Sequence, residues 1–262
     1  MKLNIYQIDA FTDQVFSGNP AAVCLLETWL ANETMQRIAA ENNLAETAFL
    51  VKKGDGYEIR WFTPSIEVAL CGHATLASAY VLFNYYDVTT NKIIFYSKNR
   101  GVLSVEKGEN GLLTLDFPVD SVVEVQPLAI LNEAIGKAPV QTFKGKTDYL
   151  LIYEDQQGIE DIEPNFYLLG KANVRGVIVS AKGMTVDFVS RFFAPGSGID
   201  EDPVTGSAHT TLTPYWSKRL GKTKLSAKQL SKRGGDLFCE DLGERIKISG
   251  KAVPYLIGEI EI

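Results

Sequence analysis

Two stretches of this chain repeat one order of features, and that order narrows the folds open to it. The first, "IRWFTPSIEVALCGHATLASAYVLF" (59–83), carries an arginine, an aromatic pair, a proline, and then a glycine that opens a helix. The second, "VSRFFAPGSGIDEDPVTGSAHTTL" (189–212), carries the same features in the same order. Arg60 and Arg191 begin the matching runs, and Pro64 and Pro195 close them. The chain's 2 histidines, His73 and His209, each follow one of the two glycines. Several strand-like segments come after each helix. The spacing is far from the short period of a solenoid. It predicts two copies of one α+β unit, the alternative being chance recurrence of a strand–turn–helix unit.

Local patterning fills in those copies. "LNIYQIDAF" and "PAAVCLL" have β character, and "ETMQRIAAENN" reads as a helix with Asn32 as N-cap and Met35, Ile38 and Ala39 on one face. "TAFLVK" and "YEIRWFT" read as strands split by a turn. A helix is expected over about 72–85, then strands "KIIFYS", "GVLSVE" and "LLTLDF". Pro118 ends this block, so a first domain is placed at 1–118 and a second at 119–252. "LAILNEAIG" reads as a helix, and "DYLLIYE", "GVIVSA" and "VDFVSRFFA" as strands. A helix is expected over about 206–218, with Pro214 as a potential kink. "KLSAKQL", "DLFCE" and "RIKIS" follow as strands, and a last strand at about 253–262 is expected to return to the first domain.

The totals exclude several classes. At 262 residues the chain buries a large core without needing a disulfide or a metal. The net charge of -6, mixed in sign and without a basic stripe, argues against nucleic acid or an anionic membrane as partner. No apolar run reaches the ~18 residues of a membrane span. The start, "MKLNIYQIDAF", alternates like a strand and lacks a signal-peptide pattern. Cys24, Cys71 and Cys239 are odd in number and widely spaced, so a reducing cytoplasm is the expected home. Two histidines without a thiol cluster make a poor metal-ligand set, and no dinucleotide fingerprint follows a strand. Neither metal nor cofactor is therefore expected.

Chemistry concentrates at the paired helix starts. A helix N-terminus carries unsatisfied N–H groups and a positive dipole end, which favour a carboxylate or phosphate. Gly72 and Gly206 would each let a ligand approach such an end closely, unless each merely permits a tight turn. Asp202 either caps the turn before the second helix, or accepts a proton or orients His73. Ser207 and His209 lie two apart on a helix and do not face each other, and no G-x-S-x-G elbow is present. His209 is therefore expected to be a packed residue. Glu46 stands among Leu44, Ala45, Ala48 and Phe49. It is either a surface residue at a strand mouth or a poorly solvated carboxyl suited to moving a proton near neutral pH.

Four segments in series, "DAFTDQVFSGNPAAV", "NNLAETAF", "CGHATLA" and "DEDPVTGSAH", resemble the PhzF-like family, named for an isomerase of phenazine biosynthesis. The resemblance spans residues 9 to about 216. It departs at "HTTLTPYW", where the family more often has small residues. It implies a diaminopimelate epimerase-like α+β fold: two similar domains, each a curved β-barrel-like sheet around a central helix, with the active site between them. It implies Glu46 as the proton-transferring residue and His73, Asp202 and Ser207 in support. Gly72 and Gly206 become carboxylate binders, and Asn19 a further lining residue. A two-base racemase of this fold needs a thiol at each helix start. Here Cys71 precedes Gly72, but no cysteine precedes Gly206.

The leading expectation is a cofactor-independent isomerase moving a proton between carbons of a small, carboxylate-bearing substrate. The alternatives are an amino-acid racemase or epimerase, and a small-molecule-binding protein without turnover. A homodimer is the default assembly.

Overall fold

The two long segments opened by Gly72 and Gly206 become helices buried over most of their surface, the first nearly all apolar and the second rich in threonine. The computed structural model describes residues 1–99 and 101–262. Contacts divide the chain into two units, Met1–Asp116 with Ser249–Ile262, and Phe117–Ile248. In chain order the first part holds β1 (Lys2–Ala10), β2 (Asn19–Leu26), α1 (Asn32–Asn42), β3 (Glu46–Lys53), β4 (Gly56–Phe62), β5 (Glu67–Val68), α2 (Gly72–Tyr85), β6 (Lys92–Ser97), β7 (Gly101–Lys107) and β8 (Leu113–Pro118). The second holds β9 (Val123–Glu124), α3 (Ala129–Ile135), β10 (Gln141–Lys144), β11 (Asp148–Ile152), α4 (Gln156–Glu160), α5 (Phe166–Gly170), β12 (Gly176–Lys182), β13 (Phe188–Ala194), β14 (Ile199–Glu201), α6 (Gly206–Leu220), β15 (Lys224–Gln229), β16 (Gly235–Asp241) and β17 (Arg245–Gly250). The last strand, β18 (Ala252–Glu261), pairs antiparallel with β1.

In the first unit the strands lie in the order β18-β1-β2-β3-β4-β6-β7-β8. The β2–β3 and β4–β6 pairs are parallel and the others antiparallel. The sheet curves around α2, which touches β1, β2, β3, β7 and β18. His73, Ala74, Leu76, Ala77, Ala79, Val81 and Leu82 of this helix are all buried. Its buried hydroxyls are satisfied within the helix: Thr75 Oγ1 donates to Cys71 O and Ser78 Oγ to Ala74 O. The other face of the sheet is covered by α1. Met35, Ile38 and Ala39 pack there on Ala22, Cys24, Leu26, Phe49 and Phe62. Fully burying one of the Met, Ile, Leu or Phe side chains of this set contributes roughly 1.5–3 kcal/mol.

The expected cap of α1 is corrected: the N-cap is Ala31, not Asn32. Ala31 has the extended backbone of a cap (φ -57°, ψ 144°), and its carbonyl accepts from the N–H groups of Thr34 and Met35. Asn32 already lies within the first turn.

The second unit repeats this plan. β10–β11, β12–β13 and β15–β16 are antiparallel, while β11–β12 and β13–β15 are parallel. The short β14 sits on β13 as β5 sits on β4, just before the long helix. On one sheet face, α3, α4 and α5 contribute Leu131, Ala134, Ile159 and Leu169 against Leu151, Val177, Val179 and Phe193. On the other lies α6, whose Trp216 donates to Ser180 Oγ of β12 and stacks on Phe188 of β13. The helix runs through Pro214 without interruption. Pro214 has no N–H for the Thr210 carbonyl, and the N–H of Asp120 donates to it instead. The threonines of "HTTLTPYW" are accommodated in the same way. Thr210 Oγ1 donates to Ser207 O, Thr213 Oγ1 to His209 O, and Thr211 Oγ1 to Asp120 Oδ2.

β5, β9, β10, β14, α4 and α5 were not anticipated. Two to five residues are too few to display a period. Among the described residues no helix is long and apolar enough to cross a membrane. The three cysteines are free and buried.

Candidate active site

In the first unit a short set of chain starts converges. Asn19 opens β2, Glu46 opens β3, and the parallel register of these strands pairs Glu46 with Ala21. Gly18 makes the sharp entry to β2 possible. Its φ is +66°, and a Cβ there would lie 2.2 Å from the Ala10 carbonyl oxygen. Cys71 caps α2 with an extended backbone, which puts His73 in the first turn. Asn42 Nδ2 donates to Thr47 Oγ1 across the loop that leads into β3.

These placements bring Asn19, Glu46 and His73 together. Glu46 Oε2 lies 3.1 Å from His73 Nε2, at hydrogen-bonding distance but off the axis of a well-formed bond. Asn19 Nδ2 lies 3.1 Å from His73 Nδ1 on the other side of the ring. With Asn19 donating there, neutral His73 carries its proton on Nε2, facing the carboxylate. An imidazolium would instead need the amide turned to present Oδ1. The side chains are little exposed, 6% for His73 and 13% for Glu46.

Cys71 completes the cluster. Its Sγ lies 3.5 Å from His73 Nδ1. Burial pushes the Cys71 thiol up to about 11, so at neutral pH it holds its proton. Burial also works against the imidazolium of His73, but Cys71 and Glu46 outweigh it and hold the His73 pKa well above the usual histidine value. With Cys71 protonated near pH 7, the charge acting on His73 is that of Glu46. The three residues offer a carboxylate oxygen, a thiol sulfur and an imidazole nitrogen within 4.8 Å of one another. They are the residues here that could hold a soft divalent cation, a grouping not anticipated from sequence.

The second unit builds a different set from the matching elements. Asp202 Oδ2 accepts from Thr205 Oγ1 at 2.5 Å, and Thr205 is the N-cap of α6. The fully buried Gln229 braces this turn. Its Oε1 accepts from Thr205 N, and its Nε2 donates to Asp202 O and Thr205 Oγ1. Ser207 Oγ lies 3.3 Å from Arg175 Nη2, just before β12. Arg175 donates through Nε and Nη2 to the carboxylate of Asp148, which is buried. His209 is buried in this unit, donating from Nδ1 to Thr205 O, while Nε2 has no partner among the described residues. Burial pushes its pKa down to about 4, against the pull of the Thr205 carbonyl.

The structure therefore groups Asn19, Glu46 and His73 in one unit, and Asp202, Gly206 and Ser207 in the other. Sequence reading missed Arg175, Gln229 and the place of Cys71 beside His73. Arg175 had no legible signal, since counting back from Arg191 as Glu46 stands from Arg60 reaches Val177, and only the strand register moves the match to Gly176, next to Arg175. Gln229 had none, because its partners lie 24 and 27 residues away on another element.

A sequence model of the PhzC-PhzF family, described as phenazine biosynthesis-like protein, matches residues 8–258. The chain is 51% identical over 263 residues to an uncharacterized isomerase of Pseudomonas aeruginosa, covering 100% of both. It superposes on the crystal structure of a PhzF-family phenazine biosynthesis protein of Enterococcus faecalis with a TM-score of 0.97, at 47% identity and covering 100% of both chains. A hydroxyproline epimerase of Agrobacterium vitis shares the fold alone. Its TM-score is 0.66 at 9% identity, over 99% of this chain and 92% of that one. The architecture is thus the sheet-rich α+β fold shared by PhzF proteins and such epimerases.

Proposed function

Because this chain belongs to the phenazine biosynthesis-like PhzC-PhzF family, we propose that it is a cofactor-independent isomerase with Glu46 as its acid/base. The substrate is a small molecule bearing a carboxylate, cyclic or unsaturated. Glu46 removes a proton from one carbon, the electron pair shifts along the unsaturated system, and the resulting carboxylic acid returns the proton to a second carbon. Composition and oxidation level are unchanged, so no co-reactant is needed. His73 stabilises the carboxylate before the first transfer and after the second and orients it from Nε2, with Asn19 fixing the ring from behind. N–H groups at Gly72 and Gly206 hold negative oxygen, while Asp202 and Ser207 position the substrate.

The observation that carries this reading is the Glu46–His73 contact of 3.1 Å inside a mostly buried cluster. A carboxylate so held stays near its partner and close to apolar neighbours, the setting that general acid–base catalysis requires. The naming of relatives as isomerases agrees with it. A two-base racemase is less well supported. Its first thiol would be Cys71, whose pKa of about 11 makes it a weak base source near neutral pH, and Thr205 stands at the matching cap.

The test is deuterium incorporation from heavy water across a series of cyclic, unsaturated carboxylic acids. We expect Glu46→Gln to lower exchange at least ~100-fold with circular dichroism unchanged. Exchange at the wild-type rate in that variant would rule out Glu46 as the base. Cys71→Ala should leave exchange within a few fold, whereas its abolition would point to a racemase. Ligand-induced stabilisation without any exchange in the wild type would identify a binding protein.

A further inference from the structure

The internal repeat can be read residue by residue, because ladder register and ion pairs anchor it twice. In the first unit Arg60 of β4 pairs with Phe49 of β3, and in the second Arg191 of β13 pairs with Val179 of β12. Each arginine makes a two-pronged bond to a glutamate on the following short strand, Arg60 to Glu67 and Arg191 to Glu201. Glu67 stands opposite Phe62, and Glu201 opposite Phe193, which are the same distance along β4 and β13. From each glutamate the chain reaches the helix-opening glycine, Gly72 or Gly206, in the same number of steps. On this alignment His73 corresponds to Ser207, and Glu46 corresponds to Gly176.

A side chain at the Gly176 position would collide with the Phe192 ring. A Cβ there would lie 2.3 Å from Phe192 Cζ and 3.1 Å from Asp148 Oδ1. The residue immediately before it, Arg175, fills the matching role instead. Arg175 Nη2 reaches Ser207 at 3.3 Å, where in the first unit Glu46 reaches His73 at 3.1 Å. The local plan is kept and the charge is inverted.

We propose that Arg175, with Ser207, reads a carboxylate of the substrate. This rests on the isomerase reading above and names a residue outside it. Asp148 side chain is 3% exposed, while the Arg175 side chain it holds is 42% exposed. A carboxylate buried to this degree is costly to keep for an ordinary surface ion pair. As a brace that fixes a guanidinium in one orientation before a ligand arrives, it lowers the cost of binding. Nε and Nη2 are committed to Asp148 and Ser207, and Nη1 has no partner among the described residues. Nη1 and Ser207 Oγ together suit a planar carboxylate, which guanidinium recognises better than an ammonium does.

The experiment measures binding of cyclohex-1-ene-1-carboxylate and benzoate, and of their neutral carboxamides, to the full chain by saturation-transfer NMR titration. Wild type, Arg175→Met, Arg175→Lys, Ser207→Ala and Glu46→Gln are compared. We expect the carboxylates to bind wild type more tightly than the amides, and Arg175→Met to weaken the carboxylates by about tenfold while leaving the amides unchanged. Arg175→Lys should fall between, and Ser207→Ala should cost a few fold. Glu46→Gln should keep the carboxylate preference while losing exchange, so the two proposals fail separately. Equal carboxylate binding by wild type and Arg175→Met would overturn the assignment, as would the lack of any preference for carboxylate over amide in wild type. Should Arg175→Met not fold, wild-type carboxylate binding by both Arg175→Lys and Ser207→Ala would overturn it equally.

Discussion

His73 and His209 each sit in the first turns of a buried helix, yet their acidities are driven in opposite directions. Among the described residues His209 has a carbonyl as its one hydrogen-bond partner and packs on Phe188, so burial dominates and its charged form is disfavoured. His73 has the Cys71 sulfur at 3.5 Å and a carboxylate at 3.1 Å, which together more than compensate for an equal degree of burial. With 2 histidines in the chain, both titrations should be resolved by NMR of the imidazole protons. We expect one midpoint near 4 and one well above 6.5, and Glu46→Gln should lower the second only. An unmoved upper midpoint in that variant would refute the carboxylate as its cause. Stability follows with opposite signs. The depressed pKa of His209 gives a contribution present above 6.5 and lost as pH falls toward 4. That loss amounts to about 2 kcal/mol between pH 8 and pH 5. The raised pKa of His73 gives a contribution that is full at acid pH and declines as pH climbs through its folded value.

Among the elements, the clearest sign of duplication is the arginine–glutamate clasp that ties each short strand to its neighbour. Both clasps are two-pronged, but their settings differ. Arg60 and Glu67 are 19% and 34% exposed, and Arg191 and Glu201 are 12% and 18% exposed. Arg191 Nη1 also donates to the carbonyls of Ile159 and Ile162, at the end of α4 and just beyond it. Removing it takes a donor from three acceptor groups rather than one, although the Ile159 carbonyl keeps the N–H of Ile162. Chemical denaturation should therefore show Arg191→Met losing about 2–3 kcal/mol and Arg60→Met about 1 kcal/mol. Equal losses would mean that the α4 carbonyls find water in the variant. The same accounting explains why Pro214 is tolerated within α6, since Asp120 supplies the N–H that the helix lacks.

For the molecule as a whole, the closing strand is decisive. β18 runs beside β1 for nine paired positions, from Ala10–Ala252 to Lys2–Glu261. β1 is itself the inner neighbour of β2, which carries Asn19. Removing residues 252–262 would expose the β1 backbone along its length and loosen the sheet around α2. We expect the thermal midpoint of the truncated chain to fall by roughly 10 °C or more, with aggregation, and its Asn19–His73–Glu46 cluster to lose order. A truncated chain melting like the full one would show that β1 needs no partner on that edge.

How much of this was legible follows from how locally each feature is encoded. Strands β3, β4, β12 and β13 and the helices α2 and α6 were readable, because period and punctuation lie within ten or fifteen consecutive residues. So was the duplication, because the order of arginine, aromatic pair, proline and glycine is itself a sequence pattern. The cap of α1 and the shortest strands were not, since one residue of frame or two of length leave no periodic trace. The tertiary structure alone decided that Asn19 faces one ring nitrogen of His73 and Glu46 the other, and that Cys71 lies alongside. It alone decided that Arg175 rather than an acid lies beside Ser207. Those contacts join residues 27 to 54 positions apart, or turn on which way a side chain points. They depend on strand register and burial, quantities that no short window of sequence contains.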